Sequence, residues 1–138
     1  MVAVSVPDQI WEIEYLEHGG IEIEVFKSDG YIFDCNELDV LFREFGEWTS
    51  NLPKSLQNAT VYTREDFFGL LKALDEDKIW YAIRRGDADE TILVEVSVPG
   101  QKWEIRLSSD GSINIKKFIS DGIIFDEKEI PQLLKQFE

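Results

Sequence analysis

Two acidic stretches contain carboxylates that could bind a metal ion. They are SDGYIFDCNEL at residues 28–38 and SDGIIFDEKEI at residues 120–130. Carboxylate oxygens bind calcium, but a calcium site needs about six or more oxygens that converge on the ion. A third acidic segment, DADETILVEV from residue 87, begins like a calcium loop. Ile92, however, stands where the sharp turn of such a loop requires glycine. We therefore expect no metal site and no cofactor.

The same carboxylates have a structural use. Asp29 precedes glycine in a turn dipeptide, and Asp34 lies just before a predicted helix with Glu37 three residues later. An acid at the N-cap with Glu at the third helical position is the pattern of a capping box, and both charges favour a helix N-terminus. We predict that Asp34 and its equivalent in the other stretch cap helices. The equivalent residues are Asp121, Asp126 and Glu129.

No other segment has the pattern of an active site. The only histidine, His18, falls in a predicted hairpin turn, and the only cysteine, Cys35, falls at a predicted first helical position, where a thiol pKa can be lowered. The sequence has no second histidine for a catalytic dyad, no glycine-rich phosphate loop and no nucleophile elbow. Catalysis by paired carboxylates stays open, because Asp and Glu total 28 residues. We expect that the protein is not an enzyme.

The two acidic stretches belong to a longer internal repeat. Residues 2–45 align with residues 94–137, 92 positions further on, without a gap and with 22 of 44 positions identical. Such similarity indicates a duplication, and we expect the two copies to share one fold.

Each copy predicts short strands followed by a helix. An apolar opening strand ends at Pro7 or Pro99. Strictly alternating segments such as WEIEY and IEIEV are typical of half-buried strands, here joined by a tight turn at Gly19 or Gly111. An amphipathic helix closes each copy. Its apolar positions are Leu38, Leu41, Phe42 and Phe45 in the first copy, and Ile130, Leu133, Leu134 and Phe137 in the second.

The chain between the copies divides into a linker and a further helix and strand. We place the first hairpin-and-helix repeat at residues 1–46, a polar linker at 47–62 and a longer unit at 63–138. In the longer unit, TREDFFGLLKALDED predicts a helix with Thr63 and Asp66 as a looser cap, and KIWYAIRR predicts a strand. The predicted fold class is α+β: duplicated β-hairpin-plus-helix units related by a pseudo-twofold axis, with helices on one face of an antiparallel sheet.

Composition limits the partners of the protein. A net charge of −14 over 138 residues would repel nucleic acids and anionic membranes, which leaves a basic protein as the favoured partner. The N-terminus lacks the segments of a signal peptide, no stretch has the roughly 20 apolar residues of a membrane span, and a single cysteine suits a reducing compartment. We expect a cytoplasmic location.

The two copies differ in charge. Residues 2–45 hold 11 acidic and 2 basic residues, net −9, whereas residues 94–137 hold 7 and 6, net −1. The difference is largest in the hairpin. A three-residue loop there, with glycine in the left-handed conformation, sets the register of the two strands.

This register places two pairs of glutamates directly opposite each other, Glu12 with Glu24 and Glu14 with Glu22. Like charges in such positions cost about 0.2–1 kcal/mol per pair. At the equivalent positions the second copy has Glu104 opposite Lys116 and Arg106 opposite Asn114.

Two accounts of the acidic face stay open. One is drift on a solvated face, where salt screens the repulsion, and the other is retention of an acidic surface for a basic partner. The second account requires the four glutamates to lie together and exposed. Trp48 joins them as a candidate because exposed tryptophan is enriched in binding hot spots, although a linker tryptophan can also cover a core edge. The candidate partner-binding residues are Glu12, Glu14, Glu22, Glu24 and Trp48.

The run VSVPGQKWEI…DGSINIKKFISDG resembles a pattern in small, mostly uncharacterised bacterial proteins. Some such acidic α+β proteins are similar to immunity proteins, which bind and silence a cognate toxin in polymorphic or contact-dependent systems. The resemblance implies a bacterial binding protein that neutralises a basic toxin, and it transfers no site residue. The alternative is a structural or oligomerising module, such as a homodimer, whose sheet edges pair with another copy.

Overall fold

A computed structural model describes residues 2–46, 63–86 and 91–135. None of the helices in these ranges has the length and apolar character that a membrane crossing requires. The strands are β1 (Val2–Val6), β2 (Gln9–Tyr15), β3 (Ile21–Lys27), β4 (Trp80–Arg85), β5 (Ile92–Val98), β6 (Gln101–Leu107) and β7 (Ile113–Phe125). The helices are α1 (Glu37–Phe45), α2 (Arg64–Glu76), a 3-10 helix (Glu127–Glu129) and α3 (Ile130–Lys135).

All of these strands belong to one antiparallel sheet with the order β1-β2-β3-β7-β6-β5-β4. β2 pairs with β1 and β3, and β6 pairs with β5 and β7, so β1–β3 and β5–β7 each form a three-stranded meander. The two meanders meet where β3 pairs with β7, and β4 extends the second meander. The sheet curls into a half-barrel with short helices packed on it. The α+β class is therefore confirmed.

The two meanders have the same strand register. Ile13 lies opposite Ile23 in the first, and Ile105 lies opposite Ile115 in the second, 92 residues further on. Because side chains alternate between the two faces of a strand, this register gathers the apolar residues of WEIEY and IEIEV on one face. The hairpin registers predicted from the alternation are confirmed.

The hairpin turns explain why the register is fixed. The N–H of Leu16 donates to the Gly20 carbonyl at 2.8 Å, and the N–H of Gly19 donates to the Leu16 carbonyl at 3.0 Å. These bonds leave a three-residue loop with Gly19 at φ +93°, a conformation that glycine adopts without strain. The turn between β6 and β7 has Gly111 at φ +88° in the same position.

The main core lies between α1, α2 and the apolar face of β4–β7. Leu38 and Leu41 of α1 and Leu70 of α2 are fully buried in one cluster with Trp103 and Ile105. The buried hydrophobic residues of both helices thus lie on the apolar faces of their amphipathic patterns. Trp11 and Trp103, at equivalent positions of the repeat, are both buried, and each indole N–H donates to a nearby glutamine, Gln9 or Gln101, at 2.9 Å.

Helix α2 begins with a complete capping box. The N–H of Asp66 donates to Oγ1 of Thr63 at 3.2 Å, and the N–H of Thr63 donates to Oδ2 of Asp66 at 2.9 Å. Two backbone donors that have no partner within the helix are therefore satisfied. The pair that the sequence marked as a looser cap is thus a reciprocal one.

The helix predicted to close the second copy is short. A 3-10 turn is followed by α3, which spans only Ile130–Lys135. Ile130 packs beside the smaller cluster around Trp11, Ile23 and Val25, but Leu134 is 56% exposed. The expectation that Leu134 is buried is wrong, because this helix has no second helix like α2 packed beside it among the described residues. The Leu133 side chain and Phe137 lie outside what the structure describes.

The capping box makes a stability prediction. Thr63→Ala should lower the free energy of unfolding by about 1 kcal/mol, because one N-terminal N–H of α2 loses its acceptor. Thr63→Ser keeps the hydroxyl and should retain most of the stability. Urea denaturation of both variants measures the difference. Equal losses in the two variants would contradict a role for the hydroxyl in capping.

Candidate functional site

The four candidate glutamates project from one face of β2 and β3. Glu12 lies opposite Glu24 and Glu14 lies opposite Glu22, so the predicted register of like charges is confirmed. All four alternate with the core residue Trp11 and its neighbours, and they therefore lie on the other face of the sheet.

The two pairs differ in exposure. Glu14 and Glu22, near the hairpin turn, are exposed, whereas Glu12 and Glu24, further along the strands, are half-buried. The expectation of four exposed glutamates is therefore wrong for one pair. The curl of the sheet brings Lys102 of the second meander to Glu12, and residues of both meanders line one groove together with Glu24.

Lys102 of β6 is the side chain that reaches Glu12. Its Nζ lies 2.8 Å from Glu12 Oε2, and the two side chains are only 13% and 26% exposed. In the strand order, β2 and β6 are three positions apart, about 14 Å in a flat sheet, so a direct contact depends on the curl. Lys102 also lies over the ring of Phe26, 5.3 Å from its centroid, and donates to Ser97 Oγ at 3.1 Å.

A second ion pair joins Lys116 of β7 to Asp8 in the β1–β2 turn. Asp8 has φ +59°, and the equivalent position in the β5–β6 turn is Gly100 at φ +75°. Aspartate is among the few residues other than glycine that enter this left-handed region readily. The first copy thus has a carboxylate, paired with a lysine of the other copy, where the second has glycine.

A third ion pair joins Lys117 of β7 to Glu37 at the start of α1, with 2.6 Å between Nζ and Oε2. Lys117 Nζ also lies 4.4 Å from the ring centroid of Trp103 and 4.6 Å from that of Phe33. A cation held between two aromatic rings and a carboxylate gains from each of them, and it ties α1 to the sheet.

These three pairs give a third account of the charge asymmetry. Residues 94–137 contain six basic residues, and three of them pair with carboxylates of residues 2–45. Part of the acidity of the first copy is therefore matched inside the molecule. The favourable pair expected within the second copy is not formed as an ion pair: Glu104 is opposite Lys116 in register, but it contacts Arg84 at 3.3 Å and Arg106 at 3.8 Å.

The curl also leaves a groove on this face, with a volume of about 510 Å³. We call it the groove. One wall comes from β1–β3 and the other from β4–β6 and the β5–β6 turn, and residues that line it include Ala3, Ile10, Glu24, Phe26, Trp80 and Pro99. Trp80 and Tyr81 are neighbours on β4, and their side chains point to opposite faces of the sheet. Trp80 is the exposed one, at 60%.

The acidic stretches form turns and caps. Asp126 accepts a hydrogen bond from the Lys128 N–H at 2.9 Å and is the N-cap of the 3-10 helix, so its predicted capping role is confirmed. Asp34 accepts from the Asn36 N–H at 2.9 Å, but the N-cap of α1 is Asn36, so its predicted position is wrong by two residues. The chain makes an extra turn before α1 begins.

The described residues contain no cluster of potential metal ligands. Within residues 2–46, 63–86 and 91–135, no three His, Cys, Asp or Glu side chains are close enough together to hold an ion. Residues 87–90, which begin the segment resembling a calcium loop, lie outside the described residues, as does Trp48 in the predicted linker.

The residues considered for catalysis lie apart from one another in the fold. His18 is exposed in the β2–β3 turn, whereas Cys35 is buried in the main core, two residues before α1 instead of at its first position.

Burial raises the pKa of Tyr81, as do the nearby charge of Asp75 and the hydrogen bond that Tyr81 donates to it. Hydrogen bonds from the side chain and backbone of Ser112 lower the pKa of the Asp110 carboxyl.

No protein-family model, curated protein or solved structure matches this chain.

The contact between Glu12 and Lys102 makes a testable prediction. Glu12→Gln should lower the free energy of unfolding by roughly 1–2 kcal/mol, between the value of an exposed pair and the cost of breaking a buried one. The matched control is Glu14→Gln, which removes an exposed charge opposite Glu22 and should leave the free energy of unfolding unchanged or slightly raised. A double-mutant cycle with Lys102→Met, read by urea denaturation, isolates the pair. Equal stability of the Glu12 and Glu14 variants would contradict a structural role for the bridge.

Proposed function

We propose that this protein is a non-catalytic, cytoplasmic binding module of the immunity type, which neutralises a basic toxin through an acidic surface. The observation that carries the proposal is the pair Glu14 and Glu22, two exposed carboxylates held directly opposite each other. Neither has an ion-pair partner among the described residues. Glu24, half-buried at the groove, has none among them either.

The internal ion pairs help to decide between drift and retention. They account for Asp8, Glu12 and Glu37, each of which meets a lysine of the second copy. They leave the repulsion of Glu14 and Glu22 uncompensated within the described chain. Binding of a cationic partner at this surface would explain why the repulsion is retained. Complementary charge speeds association and suppresses wrong partners.

We further propose that the fold arose by duplication, with helices covering one face and a pseudo-twofold axis at the junction of the halves. Lys27 is opposite Ile119, and these two positions are equivalent in the repeat. A twofold rotation that exchanges the two halves therefore maps this pair onto itself. The pairing of Ile23 with Phe125 is mapped onto that of Phe33 with Ile115, which is also present. That α1 and α2 share one core supports the placement of helices on one face.

A growth assay tests the function directly. The polypeptide encoded beside the gene for this protein is produced in a bacterial host, alone and together with this protein. An immunity role predicts that it stops growth alone and that co-production restores growth. Co-production of Glu14→Gln/Glu22→Gln should restore growth less well, whereas Glu44→Gln, an exposed carboxylate on α1, should act as wild type. A harmless neighbour, or full protection by the double variant, would count against the proposal.

The pair Glu14 and Glu22 also predicts that removing one charge stabilises the fold and slows association with the partner. Glu22→Gln should raise the free energy of unfolding by about 0.2–1 kcal/mol, because the repulsion from Glu14 is removed. The same change should slow association with the basic polypeptide of the growth assay, most strongly at low salt, and affect dissociation little. Urea denaturation and stopped-flow mixing measure the two effects. An unchanged association rate would favour drift.

The second candidate is an oligomerising module that pairs through sheet edges. The observation that favours it is the pair of edge strands, β1 and β4, with Val2 45% and Ile83 49% exposed. An open edge is a template for pairing with another chain. Light scattering after size exclusion distinguishes the two functions. A dimer that Ile83→Lys or Val2→Lys dissociates would favour this module, and a monomer at high concentration would exclude it.

A further inference from the structure

The groove has the size and lining of a binding site. Its volume of about 510 Å³ falls within the roughly 300–1,000 Å³ of ligand sites in proteins. Ile10 and Phe26 form an apolar floor with Phe118, and each of the three is almost fully buried. Above this floor, the walls carry charged side chains and the exposed ring of Trp80.

The charges of the groove are unequal. Four carboxylates line it, those of Glu12, Glu24, Glu95 and Glu104, against one ammonium group, that of Lys102. The first of these carboxylates is held by Lys102. On the opposite wall, Glu95 and Glu104 both pair with Arg84.

Arg84 neutralises most of that wall. Its Nε is 2.5 Å from Glu95 Oε1, and its Nη2 is 3.3 Å from Glu104 Oε2. The carboxylate of Glu24 is thus the one lining charge that meets no cation within the described residues. An occupant that complements the groove therefore brings a positive charge to the Glu24 wall.

Trp80 adds an aromatic surface at the rim of the same groove. Trp80 is 60% exposed and lines the groove beside its apolar floor. Tryptophan is the ring that binds cations best through its face, and it is enriched at binding hot spots. It suits either the guanidinium of an arginine or an apolar side chain from an occupant.

The groove also reaches both edges of the sheet. Ala3 and Ser5 of β1 line one end, and Trp80 of β4 lines the other. In the described part of the chain, β1 pairs only with β2, and β4 only with β5. The outer backbone groups of these strands are therefore open to an extended chain, which binds sheet edges through its main chain and places alternate side chains in pockets.

We propose that the groove is the docking site for an extended, arginine- or lysine-containing segment of the partner. A basic side chain of the segment lays its aliphatic stem along Ile10 and Phe26 and pairs with Glu24. A neighbouring side chain on the same face of the segment stacks on Trp80. This inference rests on the proposed function, and it adds the groove, as a second contact, to the acidic hairpin end at Glu14 and Glu22.

Nuclear magnetic resonance titration of the full chain tests the groove. The probe is an end-blocked octapeptide of alternating arginine and valine, and its control has citrulline, a neutral isostere, at each arginine. Shifts are expected at the Trp80 indole and at the amides of Ser5 and Gly100. Trp80→Ala and Glu24→Gln should each weaken binding about three- to tenfold. Glu44→Gln, with the same change in net charge as Glu24→Gln, should leave the affinity unchanged.

The outcomes separate the groove from the proposed function. Shifts confined to the hairpin end, weakened by Glu14→Gln/Glu22→Gln but not by Trp80→Ala, would overturn the groove and leave an acidic binding surface in place. Equal binding of the citrulline peptide would overturn the cationic occupant. No binding at millimolar peptide would also overturn the groove, and the growth assay would then decide the proposed function independently.

Discussion

The pairing of β3 with β7 is the contact on which the rest of this structure depends. It joins two meanders into one sheet, and its register aligns Phe26 with Ser120 and Lys27 with Ile119. A slip of one residue would turn every side chain of β7 to the opposite face. Phe118 and Lys116 would then leave the groove face, and Lys117 would leave its place between Phe33 and Trp103. The groove face and the ion pairs that join Lys102 to Glu12 and Lys116 to Asp8 thus depend on this one register.

The sequence was sufficient where structure is local. Alternation and a three-residue loop gave the hairpin registers, and helical periodicity gave the buried face of α1 and the extent of α2. Periodicity shows that a segment has an apolar face, but not that another surface is available to cover it. This is why Leu134 was wrongly expected in a core.

The candidate site depended on contacts that no local pattern contains. Glu12 and Lys102 are 90 positions apart in the sequence and meet only because the sheet curls. One signal was present: Lys102 stands where the first copy has Ile10, a charge in place of a core residue. A residue that departs from its own repeat in this way marks a position whose surroundings differ between the halves.

The distribution of charge between the halves also bears on specificity. Halves that share a sequence pattern could pair with their own kind in another molecule as well as with each other. Opposite charges across the junction, as between Lys116 and Asp8, favour the pairing of unlike halves. Repulsion between acidic first halves disfavours the pairing of like ones. Specificity of this kind combines an attraction with a built-in penalty for the alternative.

The distance along the chain between β3 and β7 has a consequence for synthesis. Residues 21–27 are made long before residues 113–125, so a nascent chain carries one edge of β3 unpaired until β7 has been translated. Contacts this remote also slow folding, because a long loop must close before they form. Charged side chains on an open edge deter intermolecular strand pairing. Glu22 and Glu24 lie on β3 itself, and their charge therefore protects the waiting strand from aggregation before its partner exists.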